Sequence, residues 1–270
     1  MNTRLFQLCV MNIITVCVLS LHTAAAQSPY RLELGKDVVI FSTGLGAGIA
    51  ALLLDETLDP LTPEEISALS RDDVNAFDRG ATYQYSTSAS TSSDILVYTV
   101  IASPLAMLID QRVRNDWGTY LLMYSETLLW TGASAHLVKN TVGRTRPYVY
   151  NPDAPMEDKT TRDGRKSFYS SHTAFAFASA VFLSTTYSCY FAGSRWVPYI
   201  WACSLTVAAL VGFLRYQAGM HYPTDIIVGA GIGALVGYAI PALHRIDANG
   251  YSVRPGWRNG GIALNVTMRF

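Results

Sequence analysis

The sequence predicts an all-α protein: a helical bundle of about six helices, embedded in a membrane. Two observations carry this. Half of the 270 residues are hydrophobic while only 15% are charged, against roughly a quarter charged in an ordinary soluble chain. Along the chain, apolar stretches rich in Ala, Gly and Leu recur at lengths close to the ~20 residues a helix needs to cross a bilayer. The formal net charge of zero argues against nucleic acid as a partner.

Taken in order, Arg4 precedes an apolar run from Leu5 to Leu21, and Ala24-Ala25-Ala26 before Gln27 offers a small-residue cleavage site. Residues 1–26 therefore read as a signal peptide or, if retained, an anchor helix. No cysteine stands at the cleavage position, which argues against a lipoprotein. Residues 27–248 form the expected helical domain and 249–270 a polar C-terminal tail. Helices are expected over 37–54, 93–111, 116–141, 171–191, 196–216 and 223–244.

Between the first two, Thr62-Pro63-Glu64-Glu65 opens a short helix by capping-box logic, with Thr62 as cap and Glu65 reaching back. Asp72, Asp73 and Asp78 lack calcium-loop spacing and read as a solvated face, and the Ser/Thr-rich run from Tyr83 to Ser93 as a loop. Gly229, Gly233 and Gly237 recur every four residues on the last helix, as Gly44 and Gly48 do on the first. Such spacing permits close helix approach, and neither run follows a strand as a phosphate loop would. Cys189 and Cys203 lie in apolar stretches and read as small buried hydrophobes. In the tail, Ile262 to Phe270 alternates loosely like a strand.

Three clusters of basic and histidine residues stand out against this apolar background: Lys139 with Arg146-Pro147, then Ser170-Ser171-His172, then Arg215 with His221 and Asp225. Lys139, Arg146 and Arg215 supply charge that can be shared over phosphate oxygens. Two histidines can divide a displacement, one attacking phosphorus while the other protonates the leaving oxygen. On a helix, Lys139 and Arg146 would lie about two turns apart on one face. His221 and Asp225 are four apart with Pro223 near a helix start, so the carboxylate can sit beside the imidazole and fix its tautomer. Isolated histidines in such a chain are ordinarily structural or surface groups, which is the reading for His22, His136 and His244.

The series Lys139-x6-Arg146-Pro147, Tyr169-Ser170-Ser171-His172, Leu214-Arg215-x5-His221-x3-Asp225 resembles the three-part signature of the type 2 phosphatidic acid phosphatase superfamily, in particular its membrane lipid phosphatase branch. It departs twice: the usual Pro-Ser-Gly-His reads Tyr169-Ser170-Ser171-His172, and Leu214 replaces the usual serine. The resemblance implies His221 as nucleophile, Asp225 as its partner and His172 as general acid. It further implies that Lys139, Arg146 and Arg215 hold the phosphoryl oxygens, helped by Ser170 and the Ser171 amide, with no metal and no cofactor. The implied substrates are lipid phosphate monoesters or diphosphates: isoprenyl diphosphate carrier lipid, phosphatidic acid, phosphatidylglycerol phosphate or lipid A phosphate. A soluble periplasmic acid phosphatase and a vanadium-dependent haloperoxidase share the site, and a non-enzymatic scaffold is the remaining class.

Charge placement suggests an orientation. Arg112, Arg114 and Arg195 lie in short loops, and Arg245, Arg254 and Arg258 in the tail; placing these in the cytoplasm turns Lys139, His172 and His221 to the periplasmic face of a bacterial inner membrane. With a cleaved signal, this holds if residues 37–54, Gly-rich and only about 18 long, do not span.

Overall fold

The computed structural model describes residues 28–246, 251–258 and 261–268; the expected signal segment, 1–26, lies outside them. Six long helices make the bundle: α1 (Leu34–Asp55), α2 (Thr87–Ala102), α3 (Trp117–Val142), α4 (Ser171–Tyr190), α5 (Val197–Gln217) and α6 (Pro223–His244). The expected all-α bundle is the observed one, followed by an antiparallel hairpin of β1 (Tyr251–Arg258) and β2 (Gly261–Met268), in register from Tyr251 opposite Met268 to Arg258 opposite Gly261.

Helix α4 is the axis, packing against α2, α3, α5 and α6. Its side chains are small where neighbours are closest: Ala174, Ala176, Ala178 and Ala180 are fully buried. The four-residue glycine repeat of α6 meets this surface. A Cβ at Gly229, Gly233 or Gly237 would stand 2.6, 2.1 or 2.3 Å from the carbonyl oxygens of Ser170, Ala174 and Ala178. The absence of those side chains is what allows the backbones to touch. Gly44 repeats the arrangement more loosely in α1, where a Cβ would lie 3.0 Å from Leu129 on α3.

The outer faces are apolar. Val38 and Leu52 on α1, Ile95 and Tyr98 on α2, Phe213 on α5, and Ile227 and Leu235 on α6 are all exposed. A belt this extensive on a folded chain is a surface made for lipid. Among the described residues, four helical stretches are long and apolar enough to cross a bilayer: α1, α2 with its 3-10 continuation to Ile109, α5 and α6. Residues 37–54, expected to stop short of spanning because of their length, belong to a longer helix: α1 runs for 22 residues and packs along α3.

Other expectations change locally. The run read as a loop is helical from Thr87, because Ser86 caps it by accepting from the Ala89 amide at 3.2 Å. Asp78 is not solvated but buried, while Asp72 and Asp73 stay exposed. Cys203 is exposed rather than buried, and Cys189 half-buried. The Thr62–Glu65 capping box is present, at 2.9 and 3.2 Å.

Candidate active site

The bundle's geometry brings one end of every helix to the same pole: the C-terminal ends of α3 and α5 and the N-terminal ends of α4 and α6 carry all three sequence clusters. Helix α3 ends just beyond Lys139, where Gly143 adopts φ 60° and its amide bonds the Lys139 carbonyl at 3.1 Å, a conformation costly for any residue with a Cβ. Arg146 therefore does not share a helix face with Lys139, as the spacing suggested. It stands in the loop beyond, beside the 3-10 turn Pro147–Tyr150.

A second glycine sets the other wall. Gly219, at φ 69°, follows α5, and a Cβ there would meet the Gln84 carbonyl at 2.2 Å. Its own carbonyl accepts from the Tyr148 amide at 2.8 Å. This tie pins the turn carrying His221 to the loop carrying Arg146.

His221 is completely buried. Arg146 Nη1 stands 3.3 Å from its Nε2; since a guanidinium only donates, Nε2 accepts and the proton of the neutral ring is on Nδ1. That Nδ1 has no hydrogen-bond partner among the described residues and lies 3.6 Å from Asp225 Oδ2. The expected carboxylate is adjacent, at ion-pair rather than hydrogen-bond distance. Burial lowers the His221 pKa well below its ordinary value, and the charges of Lys139, Arg146 and Arg215 add to the effect. The result is a neutral imidazole with its lone pair turned toward cations.

Asp225 is held from several directions. Its Oδ2 accepts from Ser167 Oγ at 2.5 Å and from the Tyr222 amide at 2.9 Å, and its Oδ1 from Arg144 at 2.5 Å. Arg144 also donates to buried Asp78 at 2.8 Å and lies 3.9 Å from the centre of the Tyr222 ring. Burial alone would raise the Asp78 carboxyl, yet hydrogen bonds from Arg144, Asn75 and Thr224 hold it below its usual value.

The remaining cations each carry a partner. Arg146 Nη2 donates to Asp163 at 2.8 Å, Lys139 to the Lys166 carbonyl at 2.6 Å, and Arg215 Nη1 to Ser93 at 2.9 Å and Asp94 at 3.0 Å. Asp94 reaches His172 Nε2 as well, at 2.8 Å. Ser170 Oγ is built into the cap of α4, accepting from the Thr173 amide at 3.3 Å and its hydroxyl at 2.9 Å. Ser171 opens α4, so its amide belongs to the helix's free N-terminal donors.

All eight expected residues thus gather at one pole, and Arg144, Asp94, Asp78 and Asp163 join them without having been singled out as site residues. Arg144 had a weak signal, lying two positions before Arg146. Asp94 had none, being 121 positions from Arg215. The arrangement combines a buried neutral imidazole, a second imidazole paired to a carboxylate, and three cations. It can bind a tetrahedral anion and divide nucleophile and acid between two histidines.

Residues 119–247 match the PAP2 superfamily. That segment contains all three clusters. The chain is 31% identical over 161 residues to a "Probable diacylglycerol pyrophosphate phosphatase 1" of Schizosaccharomyces pombe, covering 48% of this chain and 56% of that protein. It is 31% identical to a "Lipid A 1-phosphatase" of Porphyromonas gingivalis, over 52% of this chain and 28% of that protein. Against a "Lipid A 4'-phosphatase" of Bacteroides thetaiotaomicron the identity is 32%, over 42% and 49% respectively. The match spans about half or less of these relatives' lengths. A solved transmembrane PAP2 type phosphatidylglycerolphosphate phosphatase from Bacillus subtilis is 18% identical, covering 77% of this chain and 94% of that one, with a TM-score of 0.47.

Proposed function

We propose that this chain is a metal-independent phosphatase of the PAP2 superfamily acting on lipid phosphate monoesters or diphosphates, with residues 27–248 as its catalytic domain. The observation that carries the reading is His221: buried, neutral, and presenting Nε2 to Arg146 within the field of Lys139 and Arg215. The relatives' names, all lipid phosphatases, support the substrate class, as does the apolar belt beside the site.

In the first step His221 Nε2 attacks phosphorus, a P–N bond forms, and the bond to the leaving oxygen breaks as His172 gives that oxygen a proton. Asp225 stabilises the positive charge left on the His221 ring. In the second step water attacks the phosphohistidine, His172 takes its proton, the P–N bond breaks and phosphate leaves. Lys139, Arg146 and Arg215 stabilise the equatorial oxygens throughout, aided by Ser170 and the Ser171 amide.

The test is phosphate release by purified protein from a panel of lipid and soluble phosphoesters. Turnover should favour the lipids, survive EDTA at the assay temperature, and be inhibited by vanadate, whose five-coordinate form resembles the transition state. Equal rates on soluble esters would favour an acid phosphatase, and loss on chelation restored by a divalent ion would overturn the mechanism.

We further propose that the site faces the periplasm of a bacterial inner membrane. The opposite pole carries the short loops with Arg112, Arg114 and Arg195, and Arg245 at the end of α6, the placement expected of cytoplasmic loops. If all six long helices cross, a cleaved leader would turn the site inward, whereas the basic loops turn it outward. The orientation proposed follows the loops, because the basic residues at the site pole are taken up in pairs, Arg144 with Asp78, Arg146 with Asp163, and Arg165 with Glu65.

A further inference from the structure

At the pole opposite the candidate active site, three side chains from three helices converge. Asp37 is in the first turn of α1, Glu126 in the third turn of α3, and His244 closes α6. All three are buried, Glu126 and His244 almost completely. Their ligand atoms lie within 4.8 Å of one another. From Asp225 to His244 the intervening length of α6 spans about 28 Å, at ~1.5 Å per residue, so the cluster is separate from the phosphate chemistry.

The hydrogen bonds fix what this cluster presents. His244 Nδ1 stands 2.8 Å from the Ile240 carbonyl, which can only accept, so Nδ1 carries the proton. With the ring neutral, Nε2 is a lone pair directed at Asp37 Oδ1 at 3.0 Å and Glu126 Oε2 at 3.4 Å. Among the described residues, neither oxygen of Glu126 accepts a hydrogen bond. The nearby ammonium of Lys36 is directed to the Leu243 carbonyl at 2.7 Å. A lone pair facing two carboxylates in a desolvated space is repulsive unless a cation lies between them.

One proton on Nε2 would satisfy Asp37 and leave Glu126 without a donor. A dication satisfies all three at once and brings two carboxylates and a neutral imidazole to zero net charge. The two separations from Nε2, 3.0 and 3.4 Å, suit a common ion, since ligands at ~2.0–2.2 Å from a metal stand about 2.9–3.5 Å apart in octahedral or tetrahedral arrangement. The Nδ1 bond to a backbone carbonyl is the usual outer support of a metal-bound imidazole.

We infer that Asp37, Glu126 and His244 form a divalent transition-metal site, best suited to Zn²⁺ by its one-nitrogen, two-oxygen donor set, that clamps α1, α3 and α6 together at the pole away from catalysis. Such an ion is structural: removing it loosens the bundle without touching the phosphoryl chemistry.

The experiment uses full-length protein, purified in detergent through a tag without histidine, stripped with EDTA, and incubated with Zn²⁺, Mn²⁺ or Mg²⁺ alone. Metal content after desalting should be about one Zn²⁺ per chain, falling at least tenfold in Glu126→Gln and Asp37→Asn. Zinc should raise the wild-type melting temperature by at least about 5 °C and leave that of Glu126→Gln unmoved. Should the variants fail to fold, X-ray absorption on zinc-loaded wild type decides alone, a shell of one imidazole and light oxygen ligands being expected. Wild type that retains no metal, variants that retain as much, or a zinc shell without imidazole would each overturn the site, and would leave the triad as a proton-linked cluster.

Discussion

His221 and His172 differ in how the fold holds them, and the roles proposed for them rest on that difference. His221 is sealed from solvent with its Nε2 facing Arg146, whereas His172 is partly exposed and paired to Asp94. Replacing His221 by Ala should abolish the covalent intermediate, dropping turnover by several orders of magnitude. Replacing His172 by Ala should spare phosphoenzyme formation from an activated aryl phosphate, whose leaving group needs no proton. Acid-quenched labelling with both substrates distinguishes the two, and undiminished turnover in His221→Ala would sink the assignment. A pH dependence follows with a definite sign. Because the folded pKa of His221 lies well below its ordinary 6.5, the unfolded chain binds the extra proton first, so this group weakens the fold as pH drops below ~6.5. In the folded enzyme it stays neutral there, so the acidic limb of kcat/KM should move with the substrate's own ionisation; a limb fixed near ~6.5 for substrates of different ionisation would contradict this. The eight site residues were legible because their types and spacings recur in order. Asp94 and Asp78 were not, since a pair formed across the bundle leaves no spacing in the chain. Asp94 was further hidden by its neighbours, a Ser/Thr run that resembles a loop until Ser86 is seen to cap it. His244 was read as an ordinary histidine for a related reason, its partners Asp37 and Glu126 lying far away along the chain.

At the scale of elements, helices over residues 116–141, 171–191 and 223–244 could be read from apolar length and from Pro223, and the glycine repeat of α6 from its four-residue spacing. What the repeat packs against could not be read, because the receiving surface is backbone: the carbonyls of Ser170, Ala174 and Ala178. This contact also bears on the proposed function, since the N-terminal ends of the same two helices hold Ser170, His172 and Asp225. A methyl group at Gly233 would stand 2.1 Å from the Ala174 carbonyl, whereas at Gly231 it would meet nothing within 4 Å. Gly233→Ala should therefore force α4 and α6 apart, costing about 1–3 kcal/mol, with a lower melting temperature in detergent and reduced turnover. Gly231→Ala should be neutral or stabilising by up to ~1 kcal/mol, since Ala is the better helix former. Equal melting temperatures for the two variants would show that the glycine contact does not govern this packing.

At the scale of the whole molecule, the six long helices gather the three sequence clusters at one pole and leave Arg112, Arg114, Arg195 and Arg245 at the other, so the proposed catalysis and the orientation become one question. The loop from Arg144 to Ser167 roofs the site pole, and Asp158 is exposed on it. If the basic loops face the cytoplasm, that roof faces the periplasm, and lipid tails lying along the apolar outer faces bring their phosphates up to His221 from the outer leaflet. A cysteine introduced as Asp158→Cys, with Cys9, Cys17, Cys189 and Cys203 replaced first, should react with a membrane-impermeant thiol reagent in intact spheroplasts. A second cysteine introduced as Asn115→Cys, at the opposite pole beside Arg114, should react only after lysis. The reverse pattern would place catalysis in the cytoplasm, and would mean that parity from an exported N-terminus, rather than the short basic loops, sets how this bundle sits in its membrane.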